Sequence, residues 1–153
     1  MNAIQIRKAT YNDLPQLLEF EQGIIAAERP FDPTLKQAKI SYYDIKQMIA
    51  SPEVTILVAA IKDQIVSSGY ARITTAKPYL RHQNYGYLGF MFTLPQYRGQ
   101  GINATIIEAL KQWCISQSIN EIRLDVYDGN TSAIKAYEKV GFKKHLINMR
   151  MEI

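Results

Sequence analysis

Cysteine is almost absent from this chain: Cys114 is the only one in 153 residues. No internal disulfide can form, which suits a reducing compartment without proving one. Long hydrophobic runs are also missing. The longest near-apolar stretch, Val54 to Ile61, is far too short to span a bilayer. Met1 to Lys8 shows no apolar core followed by a small-residue cleavage site. The expectation is a soluble, cytoplasmic protein that does not engage a membrane. No Pro/Gly/Ser-rich linker divides the sequence, and no repeat at a period of about 20–50 residues is visible. One domain over residues 1–153 is therefore expected. No His, Cys and carboxylate set has metal-ligand spacing, so no metal is expected. The basic residues are spread along the chain, with no basic block interleaved with aromatics, which argues against a nucleic-acid partner.

What is present is enough to build a core. Hydrophobic residues make up 47% and charged residues 21% of the chain, so it is not disordered. The net charge is +4 and the pI is near 9.1, compatible with a polyanionic small ligand or with a mixed solvated surface. Ile4 to Ala9 alternates as a strand. Asn12-Asp13 can cap a helix with Pro15 in its first turn, and Glu28 to Pro33 breaks that helix. A second helix is expected from about Thr34 to Ala50. Val54 to Ala60, Ile65 to Thr75 and Tyr85 to Leu94 read as strands, the first two forming a hairpin. Ile102, Ile106, Ala109, Leu110 and Trp113 form a helical stripe. Glu121 to Tyr127 alternates as a strand. Asn130 is a good N-cap for a helix from Thr131 to Val140, stopped at Gly141. Phe142 to Ile153 supplies a last strand. The order mixes antiparallel hairpins with one βαβ crossover, so a mixed sheet covered by helices is expected.

The segment from Leu94 to Asn103 joins a strand to a helix and carries Gly99 and Gly101. Amides at a helix start are unpaired, and the helix dipole adds partial positive charge. Glycine allows unusual φ and close approach, so a phosphate can sit there beside Arg98. The bland alternative is a plain strand-to-helix turn.

Gln96-x-x-Gly99-x-Gly101, after a strand and Pro95 and before an apolar helix, resembles the acetyl-CoA signature of the GNAT superfamily of N-acetyltransferases. Leu124-x-Val126-x-x-x-Asn130-x-x-Ala133-x-x-x-Tyr137-Glu138-Lys139-x-Gly141-Phe142 resembles the second family signature, in order and at the expected distance. The resemblance runs from Tyr85 to Phe142. It implies an α/β (α+β) fold with a mixed, mostly antiparallel splayed sheet of six to seven strands and about four helices. Acyl-CoA, the implied co-substrate, would insert where the strand at 85–94 parts from that at 121–127. Its pantetheine arm would pair with the backbone of Met91, Phe92 and Thr93. Its pyrophosphate would rest on the amides of Arg98, Gly99, Gln100, Gly101, Ile102 and Asn103. The family often has a small residue where Asn103 stands, so Asn103 must point away or make contact through its amide. Asn130 matches a family asparagine near the pantetheine arm and can equally be a simple cap.

The implied reaction moves an acetyl group directly to a primary amine of a small molecule or peptide. Tyr137 matches the family tyrosine near the CoA sulfur, which acts as general acid; a phenol keeps its proton at neutral pH. The alternative for Tyr137 is core packing. Many relatives carry a carboxylate where Gly89 stands, and Gly89 cannot accept a proton. Glu28 is the substitute base proposed from the sequence, against the alternative of a solvated helix-end carboxylate. His82 has a suitable intrinsic pKa but stands alone in a loop. Cys114 reads as a small core residue. The stretches 24–43 and 77–85 are expected to select the acceptor. A homodimer through the sheet edge or the last strand is allowed, though no motif demands it.

Two rival functions remain open. The first is a non-catalytic acyl-CoA-binding module on the same fold, motivated by Gly89. The second is a dinucleotide-binding oxidoreductase, since Gly99-x-Gly101-x-x-Ala104 with Asp125 imitates that fingerprint. Hairpins before the single βαβ unit and the long loop before the glycines weigh against the second.

Overall fold

The computed structural model describes residues 3–153. Strand β1 (Ile4–Lys8) leads into helix α1 (Leu14–Glu28) and the short helix α2 (Ile45–Ala50). Strands β2 (Val54–Ile61), β3 (Gln64–Thr75) and β4 (Asn84–Thr93) follow as an antiparallel meander. Helix α3 (Ile102–Ser116) crosses to β5 (Ile122–Arg123), and α4 (Thr131–Lys139) comes last. The sheet order is β1-β2-β3-β4-β5, with only β4 and β5 parallel. No helix among the described residues is long and apolar enough to cross a membrane.

Both faces of the central strands are covered. On one face, Leu17, Phe20 and Ile24 of α1 and Ile45 and Met48 of α2 pack on Ile56, Val58, Tyr70 and Phe90. On the other, Ile102, Ile106, Ile107, Leu110 and Cys114 of α3 pack on Ala59, Val66, Ala71 and Leu88. These helical positions recur at three- and four-residue spacing, which is why each helix buries one stripe. Full burial of one such side chain contributes about 1.5–3 kcal/mol.

The fold class agrees with the sequence reading, with three differences in detail. The helix expected over 34–50 is confined to Ile45–Ala50. The segment before it takes its hydrogen bonds from α1 instead of from itself. Glu21, buried, accepts from the amides of Tyr42 and Tyr43 at 2.9 and 2.8 Å. Gln22 donates to the Ile40 carbonyl, and Arg29 donates to the carbonyls of Lys36 and Ala38. Backbone groups satisfied in this way have no need of a helix. The strand expected over 121–127 is laddered only at Ile122–Arg123. The last strand, 142–153, forms no ladder, so the described sheet has five strands and not six or seven.

One irregularity shapes the rest. The β3–β4 register shifts between Ser68 and Tyr70, opposite Phe90, whose φ is +58°. A bulky residue there is an outlier, and a bulge bends its strand and increases its twist. Ser68 Oγ donates to the Phe90 carbonyl at 2.9 Å, and Ser67 Oγ to the Phe92 carbonyl at 2.7 Å, holding the distortion from β3. β4 pairs with β5 only at Gly86↔Ile122 and Tyr87↔Arg123. From Leu88 to Thr93, the β5-side edge of β4 has no strand beside it among the described residues.

Candidate functional site

The glycine loop lies at the C-terminal end of β4. Pro95–Tyr97 makes one 3-10 turn, and Gly99 and Gly101 follow at φ +76° and +79°. An L-residue there would be strained by roughly 1–2 kcal/mol, so glycine is needed at both positions for conformation. No atom lies within 4 Å of where a Cβ would sit on either glycine, so the space above them is open. Among the described residues, the amides of Gly99, Gln100, Gly101, Ile102 and Asn103 bond to no protein acceptor, whereas the Arg98 amide, expected from the sequence to face the phosphate too, donates to the Pro95 carbonyl at 3.3 Å and closes the 3-10 turn. Thr105 is the first amide of α3 to bond back, to the Gly101 carbonyl. These free amides face a pocket of about 430 Å³ lined by Thr93, Arg98, Gly99, Gly101, Ile102 and Asn103, with Ala136 and Lys139 from α4 across it. Free amides, a helix N-terminus and Lys139 form a cradle for an anion. Arg98 is anchored by its Nε, which donates to the Thr93 carbonyl at 2.9 Å, and its guanidinium lies over the Phe92 ring.

Tyr137 lies on the inner side of α4, half-buried among the α3-side core and edge-on to Phe142 at 5.9 Å. Its hydroxyl has no hydrogen-bond partner among the described residues. Burial pushes the phenol up, and the charge of Glu28 adds to that shift, so the proton stays on at neutral pH. Asn130 caps α4, accepting from the Ala133 amide at 3.3 Å. The capping role read from the sequence is therefore present.

Glu28 closes α1 and is partly buried. Burial raises its carboxyl above the usual range, partly offset by the neighbouring Tyr42 hydroxyl. That hydroxyl is aimed at Glu28 but falls short of a well-formed hydrogen bond. It is one of two buried side-chain oxygens without a partner among the described residues. Tyr42, Tyr43 and Tyr127 are all pushed up, by burial first, with Glu28 adding to each. One carboxylate thus sits among three tyrosines and Tyr137. Tyr127 stacks on Phe31 at 5.9 Å and reaches Asp32 at 3.5 Å.

The glycine at 89 has a local reason. A Cβ there would meet the Tyr70 ring and hydroxyl at 2.6 Å. Tyr70, buried and packed edge-on against Tyr43, fills the space a carboxylate would need. The sequence reading saw the missing carboxylate but not the ring that replaces it. It also missed Glu21 as the residue that fixes Tyr42 and Tyr43, and it named Lys139 only as part of the second motif. An acidic residue seven positions before the end of a helix, with the paired tyrosines 21 and 22 residues further on, carries no local signal for such a long-range bond.

Not everything converges. The loop at 77–85 lies at the N-terminal end of β4, opposite the glycine loop. His82 there pairs with Glu121 at 3.5 Å and meets Arg123 at 3.3 Å. Tyr79 is 81% exposed. Cys114 is buried, and burial pushes its thiol up to about 11, as expected of a packed core thiol and not of a nucleophile.

Comparison with known proteins agrees with this layout. The sequence model of the Acetyltransferase (GNAT) family matches residues 20–142. A thialysine N-epsilon-acetyltransferase of Mus musculus is 36% identical over 55 residues, which cover 36% of this chain and 32% of that protein. The match thus spans about a third of the length of that curated relative. A mutant protein of Bacillus halodurans superposes with a TM-score of 0.86 at 20% identity, covering 97% of this chain and 99% of that one. A predicted acetyltransferase of Clostridium acetobutylicum, solved with acetyl-CoA, superposes at 0.76 and 19% identity over 98% and 96% of the two chains. At such identities the two structures attest the fold alone. The family match covers most of the chain and includes the glycine loop, Glu28 and Tyr137, so this chain belongs to the acetyltransferase (GNAT) family.

Proposed function

We propose that the chain transfers an acetyl group from acetyl-CoA directly to a primary amine of a small molecule or peptide. The observation that carries this reading is the row of unbonded amides from Gly99 to Asn103, facing an open pocket beside a strand edge left free by the parting of β4 and β5. The pyrophosphate rests on those amides, with Arg98 and Lys139 adding charge. The pantetheine amides pair along Met91, Phe92 and Thr93 as a strand would. The Asn130 side chain, engaged at the cap, offers its remaining amide hydrogens to the arm.

The arrangement brings the thioester carbonyl toward the bulge at Phe90, where a backbone amide released from the ladder can donate to the developing oxyanion. The amine nitrogen attacks that carbonyl, a C–N bond forms, and the C–S bond breaks. The thiolate takes the Tyr137 proton. Glu28 accepts the proton lost by the amine, directly or through one water, and proton exchange with solvent then restores both groups. Holding both reactants in one cleft supplies much of the acceleration. Glu28 with Tyr42, Tyr43 and Tyr127 suits a cationic amine, since a carboxylate and ring faces both attract an ammonium, which gives its first proton to solvent water before the neutral amine attacks. A relative named for acetylating thialysine agrees with an amine acceptor.

The test is an amine panel with acetyl-CoA, reading free thiol release. Turnover on at least one amine, falling by about 10²-fold or more in Tyr137→Phe, is expected. Tight acetyl-CoA binding with no turnover on any amine would favour a non-catalytic acyl-CoA module instead.

A further inference from the structure

Arg72 takes no part in the chemistry above, and no acid answers its charge. It stands exposed on β3, and no ion pair among the described residues includes it. Its guanidinium lies over two rings instead, 5.7 Å from the centre of Tyr70 and 5.5 Å from that of Tyr87. Ring faces hold a guanidinium in place and leave its N–H groups free for a planar anion. A carboxylate, taken by two parallel hydrogen bonds, is the anion this fork fits.

A second charge stands on the same ring. Tyr87 lies opposite Arg72 in the β3–β4 ladder, and its hydroxyl donates to exposed Asp125 at 3.0 Å. Tyr87 therefore carries a guanidinium over its face and a carboxylate at its hydroxyl. A lone carboxylate arriving here would be repelled by Asp125, and a lone ammonium by Arg72. A group bearing both charges meets an opposite partner for each. The rings also connect this pair to the cleft. Tyr70 lies opposite Gly89, and Tyr43 packs on Tyr70 at 5.5 Å and on Phe90 at 5.2 Å. Burial pushes the Tyr43 phenol up first, then Tyr70, with Glu28 and Tyr87 both adding, so Tyr43 stands between those two.

We propose that Arg72 and Asp125 hold the α-carboxylate and α-ammonium of the acceptor, an amino acid whose side chain ends in the amine to be acetylated. This rests on the acetyl transfer proposed above and names the class of acceptor. Phe90 is three residues beyond Tyr87, about 10 Å along a strand. The attacking nitrogen stands about 3 Å short of the thioester carbon. About 7 Å therefore separates the bound head from the reacting amine, by the same strand rise. A side chain as long as that of lysine covers it.

The coenzyme does not supply the anion. Its pyrophosphate is placed on the glycine loop beyond Thr93, about 20 Å further along β4 from Tyr87. Neither Arg72 nor Asp125 reaches the reacting atoms. They bind and orient the far end of the acceptor, which keeps the distal amine pointed at Glu28 and the thioester.

Calorimetry on the protein saturated with CoA compares three probes. L-lysine carries both head charges, cadaverine lacks the carboxylate, and ε-aminocaproate lacks the α-ammonium. The wild type should bind lysine about tenfold or more tighter than either. Arg72→Met keeps the aliphatic stem and should bring lysine down to the affinity of cadaverine. Asp125→Asn should bring it down to that of ε-aminocaproate. CoA affinity checks that each variant is folded. Thiol release from acetyl-CoA, measured alongside, should rank the three probes in the same order by KM. Selective lysine binding without thiol release would uphold this site and overturn the transfer reading. Equal binding of the three probes by the wild type would overturn the proposal, as would a preference for lysine over cadaverine that survives in Arg72→Met.

Discussion

The two halves of the sheet are built differently. From β1 to β4 every neighbour is antiparallel and laddered over most of its length, and helices cover both faces. From β5 onward the ladder is two residues long, α4 has no fully buried residue, and the tail is exposed. The first half satisfies its own backbone and apolar groups. The second half leaves amides, a strand edge and an apolar stripe unsatisfied, and the proposed coenzyme contacts lie among them. The proposed function thus uses groups that the fold leaves free.

That contrast can be broken by mutation, and the largest effect is expected in the first half. Leu110→Ala, at a fully buried position of α3, should cost about 2–5 kcal/mol in a denaturant titration. Met149→Ala, 89% exposed, should stay within about 0.5 kcal/mol when measured on dilute protein. Equal losses at the two sites would erase the distinction.

The next effect concerns binding. Gly101→Ala meets no neighbour but must adopt φ +79°, so its stability cost should be only about 1 kcal/mol. Its methyl group projects over the amide cradle, and calorimetry should show acetyl-CoA affinity falling by about tenfold or more. Unchanged affinity would mean the coenzyme does not approach that backbone.

Glu28 sharpens the comparison through pH. It must be ionised to act as base, and burial raises its pKa above the ordinary value of about 4.3. Turnover should therefore rise with pH through that raised pKa, and Glu28→Gln should remove this limb and lower the rate by about 10²-fold. The stability effect has the opposite sign. The folded state holds this proton more tightly than the unfolded chain, so stability falls as pH rises from about 4.3 through the raised value. Glu28→Gln should flatten that slope. A pH–rate profile identical to the wild type would remove Glu28 from the chemistry.

A further, modest effect belongs to Asp13, which accepts two bonds from Arg7 at 2.7 and 2.9 Å and one from the Thr10 amide at 2.8 Å. The Arg7 hydrogen bond is the largest cause of its lowered pKa, so its contribution is present above about 3.9 and fades as pH falls through the depressed value. Asp13→Asn should cost about 0.5–2 kcal/mol at neutral pH, with the difference from wild type narrowing in acid.

What the sequence made legible follows the same division. The β2–β3 hairpin, the α1 and α3 stripes and the glycine loop are local patterns, and each stands where its residues predict. Tyr137 and Asn130 also lie where the second motif puts them, on α4 and at its cap. The misread stretches are those whose hydrogen bonds are not local. Thr34 to Asp44 looks helical, but Glu21, Gln22 and Arg29 hold its backbone from a distance. The alternation at 147–153 reads as a strand, which it can become only beside another strand. The filling of the space at Gly89 by Tyr70 depends on register across β3 and β4, which no single segment encodes.

The central claim concerns a few amide hydrogens, and these can be observed singly. In a ¹⁵N-labelled sample titrated with acetyl-CoA, the amides of Gly99, Gln100, Gly101, Ile102 and Asn103 should show the largest shift changes and the strongest new protection from exchange. Resonances of those five that stay still while acetyl-CoA binds elsewhere would contradict the account.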